Sequence, residues 1–462
     1  MTPERNKRQK QKKVPSRFAA EATAVSIGFF STGNQVRIKH SMANPPASEQ
    51  LNALVPADPL MAQNGRLRGK RVAMVTYSPY PDDPRPRRAV DALMGEGMTV
   101  DLICLGQGGS QQKDTARDLK VFRIPMKHRR GGKLTYAFQY GSFILISSFV
   151  FAWRALRRRY DLVYVHNMPD ILVLSALVPK ALGAKVILDQ HDPMPELMTT
   201  IFNLDQNSFS VRIIRWMEKW SMARTHLVVT VNLACKHIFS GRSCRPEKIA
   251  VVMNAPDSRI FRFRAVQQPL PSPTESGKPF VFMYHGSLVE RNGLDLAVEA
   301  LAIARTEMPN AELRVYGPST PFLERVMETV KAKGMQSIVH YLGPRRLEDL
   351  VGEIDGCDIG VIPNQRNPFT DINTPTRIFE YLAIGKPVIA PSTSGILDYF
   401  DGGSLVFFEP GDAADLANKM QYAYSHRNDL IEIARRGQQI YLAHNWEQER
   451  QTLLDGVTKI LQ

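Results

Sequence analysis

From residue 71 to the C-terminus, apolar positions follow a repeating rhythm. A short unbroken apolar run gives way to a turn rich in Gly, Pro, Asp or Asn, and then to a stretch with apolar residues three and four apart. Short unbroken runs bounded by turn residues are strands buried on both faces, and the three-four spacing is one face of a helix. Strands are predicted over residues 71–76, 162–165, 184–189, 226–230 and 248–253, and again over 280–284, 313–317, 338–343, 359–363, 388–390 and 405–408. A loop rich in Pro and Ser, residues 267–279, separates the two series and has no period. The pattern predicts an α/β chain of two doubly wound domains, residues 68–265 and 278–440, followed by a last helical segment, 441–462. Residues 1–67 carry no sustained period and open on a basic run from Arg5 to Lys13, so they are expected to be a disordered tail.

The most informative stretch is Asn373-Thr-Pro-Thr-Arg-Ile-Phe-Glu-Tyr-Leu-Ala-Ile-Gly-Lys-Pro-Val-Ile-Ala-Pro391, which holds a helix start, a stop and the next strand. Thr374 is expected as N-cap, Pro375 as first helical residue and Thr376 beside it, with Ile378, Leu382 and Ala383 as the buried stripe. Gly385 and Pro387 end the helix. Arg377 does not fit: a cation in the first turn opposes the helix dipole by roughly 0.3 to 1 kcal/mol unless an anion sits there. Free amides at a helix start are themselves an anion site, and a guanidinium strengthens it. Glu380 lies one turn deeper, where a carboxylate can accept hydrogen bonds from vicinal hydroxyls. A phosphate at the helix tip with a sugar beside it is a nucleotide-sugar geometry; the alternative is an exposed Arg377–Glu380 pair on an ordinary helix.

Other candidates sit where predicted strands end, the ligand-binding edge of doubly wound sheets. Asp83 and Arg85 belong to a proline-rich turn, Asp83-Pro-Arg-Pro-Arg-Arg88, after the first strand; they either face the cleft or solvate a helix start. His166 ends a strand, as a cleft residue or a turn cap. In Gln190-His-Asp-Pro-Met-Pro-Glu196, His191 with Asp192 can orient and charge-stabilise a sugar, and Glu196 adds a carboxylate one turn on; the alternative is a structural His191 bonded to a backbone carbonyl.

Residues 134–153 carry no charge and are bounded by Lys127, Arg129, Arg130 and Lys133 before and Arg154, Arg157, Arg158 and Arg159 after. The length would suffice to cross a bilayer. Basic clusters at both ends, Gln139, Ser142, Ser147 and Ser148 within, and a buried strand directly after argue instead for a helix lying in the membrane interface, or packed on the sheet. The interfacial reading predicts sedimentation with membranes and release by high salt or detergent.

From residue 71 onward the chain resembles the retaining glycosyltransferases of family four, most specifically in Arg377-Ile-Phe-Glu-Tyr-Leu-Ala-Ile-Gly-Lys-Pro-Val-Ile389. The resemblance implies a GT-B fold, two Rossmann-like domains facing across a cleft with a C-terminal helix crossing back to the first. It further implies that Glu380 binds the donor ribose, that His191 lies beside donor sugar and acceptor, and that the glycine turns at Gly286 and Gly317 border the nucleotide. Many members carry another glutamate eight positions before Glu380; this chain has Ile372 there, with Asp371 and Asn373 as the available substitutes. The arginine and lysine that hold the diphosphate in the family fall on Ser287 and Asn292, which leaves Arg291 as the candidate cation. The reaction implied is sugar transfer with retention from a nucleotide diphosphate sugar to a saccharide acceptor, lipid-linked in surface polysaccharide assembly, with no cofactor and no metal.

The chain of 462 residues has a net charge of +14 and a sequence pI near 9.6, so an acidic partner is expected: nucleotide phosphates or anionic lipid. Nucleic acid is disfavoured, since the basic tail lies outside the folded part and lacks interleaved aromatics. Four cysteines, Cys104, Cys235, Cys244 and Cys357, show no metal spacing and point to a reducing compartment. The expected location is cytoplasmic, peripheral on the inner face of the membrane. Competing readings are a non-catalytic scaffold that binds nucleotide sugar, and a phosphorylase or epimerase of the same fold.

Overall fold

The computed structural model describes residues 65–106, 115–116, 118–126, 133–266 and 277–462, with side chains described outside 115–116 and 133–137. Most of the expected disordered tail and of the interdomain linker lies outside these residues. Leu67, assigned above to the tail, is only 3% exposed and belongs to the first domain's core.

The first sheet comprises β1 (Arg71–Pro79), β2 (Thr99–Leu105), β3 (Thr115–Ala116), β4 (Leu119–Ile124), β5 (Leu162–His166), β6 (Lys185–Gln190), β7 (Leu227–Thr230) and β8 (Ile249–Val251), in the order β3-β4-β2-β1-β5-β6-β7-β8. All neighbours are parallel except β3 with β4. The second comprises β9 (Phe280–His285), β10 (Ala311–Tyr316), β11 (Val339–Tyr341), β12 (Ile359–Val361), β13 (Val388–Pro391) and β14 (Val406–Phe408), ordered β11-β10-β9-β12-β13-β14 and parallel throughout.

The unbroken apolar strands follow from two-sided cover. On one face of the first sheet, Val163 and Val165 meet Phe143 and Phe151 of helix Lys133–Arg157 and Met222 of helix Phe209–Ala223. On the other, Leu162 and Tyr164 meet Leu93 of helix Pro84–Gly95 and Leu453, Leu454 and Val457 of helix Trp446–Leu461. The last helix thus leaves the second domain and completes the core of the first. Its Glu449 accepts a hydrogen bond from the Met253 amide at 2.6 Å, and its Asp455 pairs with Arg66 at 3.0 Å.

Between β5 and β6 the chain forms a 3-10 segment, Asp170–Ala176, followed by a short α-helix, Leu177–Ala181, rather than one continuous α-helix. A continuous α-helix would need an amide at Pro179 to bond the Ser175 carbonyl, and proline has none. The charge-free run is the helix Lys133–Arg157, one side of which is core; no helix among the described residues is long and apolar enough to cross a membrane.

Candidate active site

The two sheets present their strand C-termini to one another. On the second-domain side the helix Thr376–Ala383 begins one residue later than expected, with Pro375 as N-cap and no side-chain cap. Thr374 does not cap because its hydroxyl is engaged elsewhere: it donates to the Gly395 carbonyl at 2.5 Å and accepts from Asn232 Nδ2 of the first domain at 3.0 Å. The same amide donates to the Ile372 carbonyl at 2.8 Å, and the Ile372 side chain packs against the first domain's core. Ile372 is therefore an interdomain contact. Of its two neighbours offered as substitutes, Asp371 faces Arg366 at 3.9 Å on the surface.

Arg377 reaches back to the end of β9. Its Nη1 donates to the His285 carbonyl at 2.9 Å, its Nη2 to Asn364 Oδ1 at 3.2 Å, and its guanidinium lies over the Tyr284 ring at 4.8 Å. Two of the five N–H groups of an arginine are thereby committed. Glu380 Oε2 lies 3.4 Å from His285 Nε2, so one residue touches both members of the pair, through its backbone and through its ring. Burial keeps the His285 ring well below the ordinary histidine range, reinforced by Arg377, so this contact joins a carboxyl to a neutral imidazole. Burial also pushes the Glu380 carboxyl up to about 7, against the pull of Arg377 and Arg88.

Two glycine turns close beneath this site. Gly286 has φ +117°, and a Cβ there would lie 3.2 Å from Arg377 Cδ; at Gly317, φ +155°, a Cβ would lie 2.1 Å from the Gly286 carbonyl oxygen. Gly286→Ala is expected to cost about 1 to 2 kcal/mol of stability through its left-handed backbone and, in addition, to displace the guanidinium. A urea melt reads the first effect. A nucleoside diphosphate titration reads the second, and unchanged affinity would show that Arg377 tolerates the methyl group.

On the first-domain side, β6 ends in Asp189 and Gln190, and the next residues are His191 and Asp192. Asn167 clamps this turn: Oδ1 accepts from the His191 amide at 3.2 Å, and Nδ2 donates to the Asp192 carbonyl at 2.7 Å and to Asp170 Oδ1 at 3.2 Å. The His191 ring is 11% exposed, and its Nδ1 lacks a hydrogen-bond partner; burial lowers its affinity for protons. Asp192 Oδ2 lies 4.0 Å from His191 Nε2. Burial raises its carboxyl, against the pull of His191 and of Arg291 from the second domain. Arg88, from the first domain, acts on Glu380 in the opposite direction.

The remaining candidates lie behind this surface. Arg85 is buried and bonded to Asp189 through Nε, at 2.9 and 3.0 Å, and through Nη2 at 2.7 Å, while Nη1 reaches the Val252 carbonyl and Asn254. His166 is fully buried, with Nδ1 3.3 Å from Asp189 Oδ2 but without hydrogen-bond alignment. Asp83 caps helix Pro84–Gly95 through the Arg85 amide at 3.1 Å. Glu196 is held by Arg242 at 2.5 and 3.0 Å, an arginine that also binds Glu218. Arg85 and Glu196 thus spend their charges inside the domain. His166, Asp189 and His191 bring donor atoms within 4.8 Å of one another, but Arg85 and Tyr164 occupy the Asp189 carboxylate, so a cation there would confront a guanidinium.

The sequence reading missed His285, Asn364, Asn167 and Arg88. His285 carried a signal, since it ends a strand directly before the left-handed Gly286; the others are recognised only by partners distant in sequence.

Residues 83–255 match the family model described as a glycosyl transferase 4-like domain, and residues 279–426 the one described as glycosyl transferases group 1. Among curated relatives, the putative colanic acid biosynthesis glycosyltransferase WcaL of Salmonella typhimurium is 24% identical over 206 residues, 43% of this chain and 49% of the relative. The amylovoran biosynthesis glycosyltransferase AmsK of Erwinia amylovora is 25% identical over 201 residues, 42% and 46% of the two chains. This chain spans about half the length of the curated relatives it matches. Among solved structures, sucrose-phosphate synthase of Thermosynechococcus elongatus superposes with a TM-score of 0.65 at 16% identity, over 85% of this chain and 99% of that one. Anabaena HepE in complex with UDP gives 0.61 at 17% identity, over 84% and 100%. One glycosyltransferase family match thus falls on each sheet, and the arrangement of the two sheets is that of the GT-B fold.

Proposed function

We propose that the protein transfers a hexosyl group, with retention at the anomeric carbon, from a nucleoside diphosphate sugar to a saccharide acceptor, a lipid-linked one in polysaccharide assembly, while bound peripherally at the cytoplasmic face of a membrane through residues 134–159. The observation that carries the reading is Arg377, braced by His285 and Asn364 with three N–H groups left for a ligand, at a helix start whose amides favour the same charge. The difficult event is departure of the diphosphate. Arg377 and the first-turn amides meet its developing charge, and Arg291 adds a second cation from the neighbouring turn. Glu380 accepts hydrogen bonds from the donor ribose. His191 and Asp192, on the facing domain, orient the transferred sugar and the attacking hydroxyl, and donor phosphate takes the acceptor proton. Relatives named for colanic acid and amylovoran biosynthesis support a polysaccharide product, and a fold neighbour determined with UDP and glucose supports a nucleotide-sugar donor.

The test is release of free nucleoside diphosphate from a panel of nucleotide sugars on addition of bacterial lipid extract. The anomeric configuration of the product is read by proton NMR. Turnover with one donor, and its loss in His191→Ala with nucleotide affinity kept, is the expected outcome. Nucleotide binding without any turnover would favour a sugar-nucleotide scaffold, a reading that Ser287 and Asn292 encourage: the Asn292 amide folds back onto the Ser287 carbonyl at 2.8 Å where the family holds cations.

A further inference from the structure

Helix Lys133–Arg157 is core on one side only. On the other, Phe138, Leu145, Phe149 and Leu156 are 72–77% exposed, at spacings of seven, four and seven, and Ile146 and Trp153 flank them. Helix Phe209–Ala223 repeats the pattern: Phe209 and Trp216 are 70% and 60% exposed, with Ile213 between them. Both helices pack against the 3-10 segment Asp170–Ala176 on the same face of the first sheet, and Leu177 and Val178, directly after that segment, are exposed as well. An apolar surface shared by three elements exceeds the scattered exposure ordinary for a soluble domain.

We propose that the outer faces of these two helices, with Leu177 and Val178, form a single docking surface for a bilayer bearing anionic headgroups, oriented so that the cleft opens at the membrane. This deepens the peripheral reading above, which rests on the first helix alone, by adding a second helix and an orientation. The charge pattern selects the partner. Arg157, Arg158, Arg159, Arg212 and Lys219 are exposed on the rim. Helix Lys133–Arg157 contains no carboxylate, and the one in Phe209–Ala223, Glu218, is fully buried against Arg242 and Ser243. A second copy meeting this face would set cations against cations, whereas phosphate headgroups complement them. Arg157 lies over Trp153 and Arg224 over Trp220, each at 3.6 Å, pairings suited to the headgroup layer.

Orientation follows from topology. In a parallel sheet each crossover helix starts at the strands' carboxyl edge, here the cleft side, and runs back. Accordingly Gln139 accepts a hydrogen bond from the Tyr77 hydroxyl at 3.2 Å, and Tyr140 packs edge-on against Tyr77 at 4.7 Å, near the carboxyl end of β1. The apolar surface therefore reaches the rim of the cleft, and a saccharide carried on a lipid enters without leaving the bilayer.

The test is flotation of the full chain with vesicles of phosphatidylcholine, with and without phosphatidylglycerol. Wild type is compared with Leu145→Ser/Phe149→Ser and Phe209→Ser/Trp216→Ser; all four positions are exposed, and unchanged melting confirms the folds. Wild type is expected to float with the anionic vesicles and detach in high salt, and each double variant to bind about tenfold more weakly or less. Wild-type flotation of the second variant would overturn the two-helix surface. Retained binding in both variants would assign it to residues 1–64 or another face, and self-association of wild type without vesicles, abolished by either variant, would make a second copy the occupant; each overturns the proposal. Donor hydrolysis without lipid stays unchanged in both variants, so a failure of docking and a failure of the transferase reading are told apart.

Discussion

Replacing Arg377 by methionine is expected to lower turnover by about two to three orders of magnitude, the usual effect of deleting one preorganised donor to a developing oxyanion, with cooperative folding kept. The variant leaves the His285 carbonyl and Asn364 without a donor, which costs about 1 to 3 kcal/mol. Against this stands relief of a cation held in the first helical turn, worth roughly 0.3 to 1 kcal/mol. Methionine keeps the aliphatic packing on Tyr284. The net loss is small for a protein of this size, so activity and stability separate. Steady-state kinetics with a urea melt of the same sample check this; wild-type turnover in the variant would remove the diphosphate role from the helix tip.

Glu380→Gln is expected to weaken nucleoside diphosphate binding by roughly ten- to a hundredfold, the cost of losing charged acceptors for two hydroxyls, while making the free protein more stable above neutral pH. The carboxyl is only 14% exposed, and burial raises it from 4.5 to about 7. The fold thus favours the protonated form: its contribution to stability is complete below pH 4.5 and is lost as pH rises through 7. The charged state above pH 7 carries a penalty of roughly 3 kcal/mol at most, which glutamine does not bear. Thermal melts at pH 8 should therefore show the variant above wild type, and at pH 4 no such advantage. In the wild type, nucleotide affinity should also fall by about tenfold per unit below pH 7, a slope absent from the variant. A wild-type slope persisting in Glu380→Gln would place the titrating group elsewhere, on the ligand phosphate or on Asp192.

Most strands, though not β2, β3 and β4, were legible because a parallel sheet covered on both faces has one requirement, unbroken apolar residues. Residues 71–76, 162–165 and 280–284 satisfy it without help from distant partners. Arg377 was legible for a related reason: its conflict with the helix dipole is local. What stayed hidden depends on pairings distant along the chain. Arg85 reads as a cleft cation until Asp189, 104 residues away, is seen to take its charge. Glu196 reads as a cleft carboxylate until Arg242, 46 residues on, closes over it. Thr374 has every local feature of an N-cap, yet Asn232 from the other domain and Gly395 claim its hydroxyl. Asn167, which fixes the backbone on both sides of the His191–Asp192 peptide, carries no signature at all, because an asparagine after a strand is ordinary turn chemistry.

The closing helix has a practical corollary. Leu453, Leu454 and Val457 fill space between β7, β8 and helix Pro84–Gly95, while the residues just before Trp446–Leu461 belong to the second domain. Severing the chain at the linker would strip the first domain of part of its own interior and leave the second dragging an unpaired greasy helix. A split design that cuts there should therefore carry the last helix, Trp446–Leu461, on the N-terminal fragment, because the two halves are laced through each other.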